Sequence, residues 1–287
     1  LLVVIAIIAL LMGILMPALA RVRRAAKGAA CMAQIKQWAT VYSVYTGDFD
    51  GYFVPDYYDR PPGEEDVRPP RCDWWVILEP YYEDIDMLCC PAATKIKYYS
   101  GTKRANPDEG GKVPFCAHYD SGNGGYKASV SYNGWMGAAG GMSVESRKAE
   151  LRWQTVNRVK QPNSVPVIGD TVGHLRKFVH ADVDPAENAE PDTDLWDKVP
   201  TTSHEKRLLQ FCIRRHGPMT NPNINMAFAD FSVRPVGLKA LWSLKWHRSW
   251  VQERKGLLDG STAINMDMTS VWPDWMKGYS DDGVINY

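Results

Sequence analysis

The sequence predicts an α+β protein in which one long N-terminal α-helix packs on a globular head that carries an antiparallel β-sheet and long loops. Three observations predict it. Leu1 to Ala20 runs without a charge, so as a helix it is roughly 30 Å long and matches the hydrocarbon core of a bilayer. Arg21 to Thr46 gains charges but keeps a helical period, with Met32, Ile35, Trp38, Tyr42 and Tyr45 three or four residues apart on one face. Beyond Gly47 the apolar residues come in short alternating runs, separated by stretches rich in Pro, Gly and Asp.

The first two segments read as a single helix, apolar over residues 1–20 and amphipathic over 21–46. Only the second part has a stripe with which to pack on a soluble domain. The head is expected over residues 47–247, and 248–287 reads as a C-terminal extension, either a contact with a neighbouring subunit or a simple surface tail. Gly47 is the expected helix terminator. Asp48 and Asp50 form a carboxylate-rich turn, a weak calcium candidate with too few oxygen ligands for a calcium loop. Tyr52 to Arg71, centred on PPGEEDVRPP, reads as exposed loop, and Cys72 to Tyr82 as a short helix or packed turn ending near Pro80.

Lys95 to Lys112 is polar and reads as loop, Lys127 to Met136 as a strand, Val144 to Trp153 as an exposed short helix, and Ser164 to Asp170 as a short buried strand whose aspartate caps a turn. Asp182 to Pro200 is acidic and nearly without aliphatic residues, a second long loop. Asn225 to Ala229 and Ser232 to Val236 pair about a turn at Asp230, and Gly237 to Trp246 follows as an amphipathic helix with Leu238, Leu241, Trp242 and Trp246 on its face.

Composition narrows the function classes. The formal charge is zero, with 33 basic and 33 acidic residues, and the basic cluster from Arg21 to Lys27 has no counterpart elsewhere, so nucleic acid is not an expected partner. The 11 Trp and 14 Tyr exceed what a core usually needs and suit protein interfaces or stacking on sugars. The histidines His118, His174, His180, His204, His216 and His247 fall in no hydrolase, phosphate-loop or metalloprotease motif, so the chain is not expected to be an enzyme. His180, Asp182 and Asp184 read as a polar loop, and His216 with Asp230 as a hydrogen-bonded pair holding a hairpin. No CxxC pair meets a second such pair, which leaves no zinc-ribbon pattern.

The apolar run LLVVIAIIALLMGILMPAL, with Pro17 inside it and the small residues Ala25, Ala26, Gly28, Ala29 and Ala30 after it, resembles the N-terminus of type IV pilins and type II secretion pseudopilins. Two further passages resemble large members of that family: CDWWVILEPYY followed by MLCCP, and the C-terminal RHGPMTNPNINMAFADFSV, where Phe231 stands in place of the family's glycine. In the family a basic leader, a cleavage site, an aromatic first residue and a glutamate precede the run, and the chain is expected to continue upstream of Leu1. The alternatives are a signal peptide cut near Ala18 to Ala20 and a plain single-pass anchor. By the positive-inside rule Arg21, Arg23 and Arg24 would hold this end in the cytoplasm, so the opposite orientation is implied by the resemblance alone.

The resemblance implies a structural subunit of an extracellular pilus-like filament, anchored in the inner membrane before assembly and polymerising with itself through Leu1, Val4, Ile8, Leu11, Gly13, Leu15 and Pro17. A type II secretion pseudopilin and a membrane-anchored module that binds polysaccharide are the alternatives. It implies no cofactor, with calcium the weak exception at Asp48 and Asp50. Export makes disulfides the default among cysteines, with at least one bridge expected among Cys72, Cys89, Cys90 and Cys116, although the neighbours Cys89 and Cys90 are poorly placed to bond each other. Cys31 is expected as a buried thiol or as a staple between helix and head.

Overall fold

The structure is a computed structural model. It describes residues 2–55, 74–93, 95–100, 103–104, 116–120, 126–137, 152–171, 215–218, 221–248, 280 and 282–283. Two sequence expectations fail where they are described: Phe53 and Val54, in the expected exposed loop over 52–71, are buried, and Arg152 and Trp153, at the end of the expected exposed helix over 144–153, are buried and not helical. Residues 56–71 and 144–151 of those two segments, the expected loop over 182–200, His180, Asp182, Asp184, Cys72 and most of the C-terminal extension lie outside the described residues.

A single helix, α1, spans Leu2–Asp48 and runs through Pro17 without interruption. Its end lies beyond Gly47. The Gly51 amide donates to the Thr46 carbonyl at 2.7 Å, and Asp50 and Gly51 both take positive φ, at 49° and 80°. This is the 6→1 hydrogen bond of a Schellman cap, so the left-handed residue that closes the helix is Asp50, followed by Gly51, and not Gly47.

The second half of α1 is buried along the stripe read from the sequence. Ile35, Trp38, Tyr42 and Tyr45 are buried, joined by Cys31, Ala39, Val41 and Thr46, while Met32 is half-buried. Beneath them lies an aromatic core. Trp38 meets Trp74 edge-on at 5.0 Å and Tyr82 at 4.9 Å, and Tyr42 stacks on Tyr132 at 5.2 Å. The Trp38 indole donates to the Met87 carbonyl at 2.8 Å, which supplies the partner a buried indole requires. Trp74 and Trp75 belong to a short helix, α2 (Trp74–Ile77), followed by a 3-10 turn over Glu79–Tyr81. Trp135, Trp153 and Trp246 are buried as well, so six of the tryptophans serve the core.

Two four-stranded sheets follow. In the first, β1 (Lys95–Ser100), β2 (Lys103–Arg104), β3 (Cys116–Asp120) and β4 (Tyr126–Ala128) are ordered β2-β1-β3-β4, with β1 and β3 parallel. The segment from Lys95 that reads as polar loop is therefore partly strand: its alternation of Lys and Tyr is too polar to signal burial, and its backbone pairs with a segment some twenty residues on. The second sheet is fully antiparallel. It has the order β5-β6-β7-β8, formed by β5 (Val130–Tyr132), β6 (Pro166–Asp170), β7 (Asn223–Phe228) and β8 (Val233–Gly237), and α1 lies against β6, β7 and β8. The stretch from Lys127 thus divides between two sheets at Ser129, whose amide donates to Leu88 and whose hydroxyl accepts from the Cys90 amide at 2.8 Å.

The β7–β8 hairpin closes where the sequence placed it. Phe231 carries φ 60°, its amide returns to the Phe228 carbonyl, and Asp230 Oδ1 accepts from the Ser232 amide and hydroxyl. The chain therefore uses a wider turn with a left-handed third residue in place of a two-residue primed turn. The expected helix from Gly237 to Trp246 shrinks to α3 (Ala240–Ser243). Beyond it the chain is held by Asn133, whose amide donates to the Pro166 and Trp246 carbonyls at 2.8 and 3.1 Å.

Candidate functional site

The apolar half of α1 is one candidate site. From Leu2 to Lys27 every residue is exposed, including Val4, Ile8, Leu11, Gly13, Leu15 and Pro17, whereas burial begins at Gly28 and is complete at Cys31. Fourteen large apolar side chains between Leu2 and Val22 face outward. At about 1.5 kcal/mol for each such side chain removed from water, covering them is worth about 20 kcal/mol, more than the whole folding stability of a typical domain. A surface of this kind needs lipid or other protein. Length and composition allow this helix to cross a membrane, as an anchor or as a signal segment.

The second candidate lies where α1 enters the head. Cys31 on α1, Cys90 after the 3-10 turn of Ile85–Leu88, Asp170 at the end of β6 and His216 beside β7 place their donor atoms within 4.8 Å of one another, all buried. Each is positioned by a different element. Cys31 continues the buried stripe of α1, four residues before Ile35. Cys90 is fixed through its amide on Ser129. Asp170 faces Val130 across the sheet, and its Oδ2 accepts from the Asn225 amide at 3.1 Å. His216 is pinned by two backbone hydrogen bonds to Asn223, and the residue after it, Gly217, has φ 77° with no room for a Cβ against Asn223 and Asn221.

The contacts within the cluster converge. Cys31 Sγ lies 3.2 and 3.3 Å from the two Asp170 oxygens, His216 Nε2 lies 3.1 Å from Asp170 Oδ2, and Cys90 Sγ lies 3.4 Å from the same Nε2. Arg215, fully buried, places NH1 3.4 Å from Asp170 Oδ1 and donates to the Ser129 and Thr171 carbonyls. Burial pushes the Asp170 carboxyl up, but the His216 hydrogen bond and the Arg215 charge outweigh it and hold Asp170 below the usual carboxylate range. Burial pulls His216 down, yet its bonds to Asp170 and Cys90 prevail and raise it to about 9. The Cys90 thiol is lowered to about 6, chiefly by its hydrogen bond from Cys31, against burial and the Asp170 charge. The same bond, then burial, pushes Cys31 up.

This is not the relay of a cysteine hydrolase. In such a relay the carboxylate orients one imidazole nitrogen while the thiol meets the other. Here Asp170 and Cys90 both address Nε2, while Nδ1 is buried without a partner and lies against α1 at Gly28. Two sulfurs, one imidazole nitrogen and one carboxylate oxygen around a common centre can instead hold a metal ion.

The residues singled out from sequence fall differently. His216 bonds to Asp170 rather than to Asp230, which is occupied by Ser232. Asp170 does not merely cap a turn; it is the hub of the cluster. Asp48 accepts from the Tyr81 hydroxyl at 3.1 Å, and Asp50 sits in the helix cap. Cys31 and Cys90 are thiols, and Cys89 Sγ lies 3.9 Å from the Cys90 and Ala93 carbonyls. Cys116 belongs to β3. One signal for the cluster was present in the sequence: Asp170 ends the apolar run VPVIG, and a carboxylate in a buried strand needs a paired charge. Comparison with protein-family models, characterised proteins and solved structures finds no match for this chain.

Proposed function

We propose that the protein is a structural subunit of an extracellular pilus-like filament, held in the inner membrane before assembly and polymerising with further copies of itself through the apolar run up to Ala20 at the start of α1. The observation that carries this reading is the abrupt change along one unbroken helix, exposed up to Lys27 and without a charge through Ala20, then built into the head from Cys31 on. A cleaved signal peptide does not need the amphipathic continuation that joins the apolar run to the head in one helix. A lone anchor would be satisfied by lipid. The small residues Gly13, Ala18, Ala20, Ala25, Ala26, Gly28 and Ala29 further favour close approach of helices. Assembly of this type is heterologous and open, since one surface meets a different surface of the next copy and the array does not close.

The sugar-binding alternative loses support from the six tryptophans that lie in the core. A pseudopilus would use the same helix contacts and differ in length and location. Shearing surface material from cells that produce the protein and imaging it by electron microscopy with an antibody to the head tests the proposal. Labelled filaments are expected; label confined to membrane fragments would reject it.

A further inference from the structure

We propose that Cys31, Cys90, Asp170 and His216 form a structural site for a thiophilic divalent cation of the zinc class, which clamps the assembly helix to the head. Geometry comes first. In a tetrahedral zinc site, bonds of about 2.3 Å to sulfur and about 2.0–2.1 Å to nitrogen and oxygen set ligand separations of about 3.4 Å between N and O and about 3.8 Å between two sulfurs. The Cys31–Asp170, His216–Asp170 and Cys90–His216 separations of 3.1 to 3.4 Å need a few tenths of an ångström of expansion, and the remaining ligand pairs lie within 4.8 Å, close enough to draw in around one ion.

The pattern of contacts points the same way. A network built for hydrogen bonding alone would pair donors with acceptors one by one, yet His216 Nε2, which carries at most one proton, is approached by both Asp170 and Cys90. Cys31, with a single proton, faces both Asp170 carboxylate oxygens as well as the Cys90 sulfur. A cation at the centre takes all four as ligands once the two thiol protons leave to solvent. Charge also closes. Two thiolates and a carboxylate exceed a divalent ion by one negative charge, and the buried Arg215 guanidinium beside Asp170 cancels it. The soft sulfur pair selects zinc-like ions over magnesium or calcium, which take oxygen ligands.

The site's position gives it a role. One ligand comes from α1, three residues past Gly28, and three come from separate parts of the head. The ion would therefore join the helix to the head where the exposed half begins, and a pull on that helix would load a metal–thiolate bond before it reached the aromatic core.

The test uses the full chain in detergent under reducing conditions. After incubation with Zn2+ and removal of excess, elemental analysis is expected to find one ion per chain. Co2+ in its place is expected to give the visible absorption of a tetrahedral cobalt–thiolate centre, a readout on the unmutated chain that does not depend on any variant folding. Cys31→Ser and His216→Gln should each weaken binding at least tenfold, while Cys89→Ser, adjacent in sequence but outside the four, should leave it unchanged. Substoichiometric zinc with no cobalt–thiolate spectrum overturns the proposal. So does a Cys31–Cys90 disulfide in the protein as isolated, or an equal loss of metal in Cys89→Ser.

Discussion

The two halves of α1 share one backbone and differ in what covers them. Residues 2–20 present large aliphatic side chains all round and are exposed among the described residues, as is the basic stretch 21–27; from Cys31 to Thr46 the side chains facing the head, including three large aromatics, are buried. The contrast shows that apolarity alone does not locate a core. Through Ala20 the aliphatic part has no polar face and, among the described residues, nothing covering it, whereas the aromatic half alternates buried positions with exposed Lys36, Gln37, Thr40 and Ser43 and so addresses a single surface. A helix that is apolar all round asks for an environment that surrounds it.

Several experiments would break or sharpen that comparison. Deleting residues 1–24 should have the largest effect, turning a chain that requires detergent or assembly into a soluble monomer with the circular dichroism and tryptophan emission of a folded head. Aggregation of the truncated protein would mean that the first half contributes to the fold. Next, Trp38→Ala should cost about 3–5 kcal/mol in denaturant unfolding of the head, while Ile8→Ala should change it by less than about 0.5 kcal/mol. Equal effects would erase the distinction between the halves. Asp170→Ala strands the buried Arg215 charge and should cost about 3–5 kcal/mol in metal-free, reducing buffer; restoration of stability in the Asp170→Ala, Arg215→Met double variant would assign the loss to that charge.

Smaller effects test the head's packing. A Cβ on Gly137 would overlap the Val54 carbonyl, so Gly137→Ala should cost about 1–3 kcal/mol, read as a lowered midpoint. Tyr42→Phe should be the mildest. Its hydroxyl is buried without a hydrogen-bond partner, so removal should be neutral or stabilise by up to about 1 kcal/mol, and a clear destabilisation would reveal a partner for it.

What the sequence made legible was local. The apolar run, the buried stripe at Ile35, Trp38, Tyr42 and Tyr45, the strand ending at Asp170 and the hairpin about Asp230 all follow from residues close in the chain, whose periodicity reports which face is buried. The β1–β3 pairing was hidden because it is parallel and its strands are polar. The cluster was hidden for a stronger reason. Cys31 and Asp170 lie 139 residues apart, and Cys90 and His216 lie 126 apart, so no spacing rule links them. Each appears as a single residue in a different element, and their convergence is a property of the tertiary fold. Tryptophan content misled in the opposite sense, because Trp38 on α1 packs against Trp74, which meets Trp75, so indoles that read as a binding surface lie in the core.

The most direct test of the central claim places a photo-activated cross-linking residue at Ile8 in the full chain and irradiates intact cells that produce it. The account predicts a ladder of covalent multiples of this chain, lost in a control with the probe at Lys36, on the half that packs into its own head. Adducts to lipid alone, with the protein remaining a single chain at every level of expression, would contradict it.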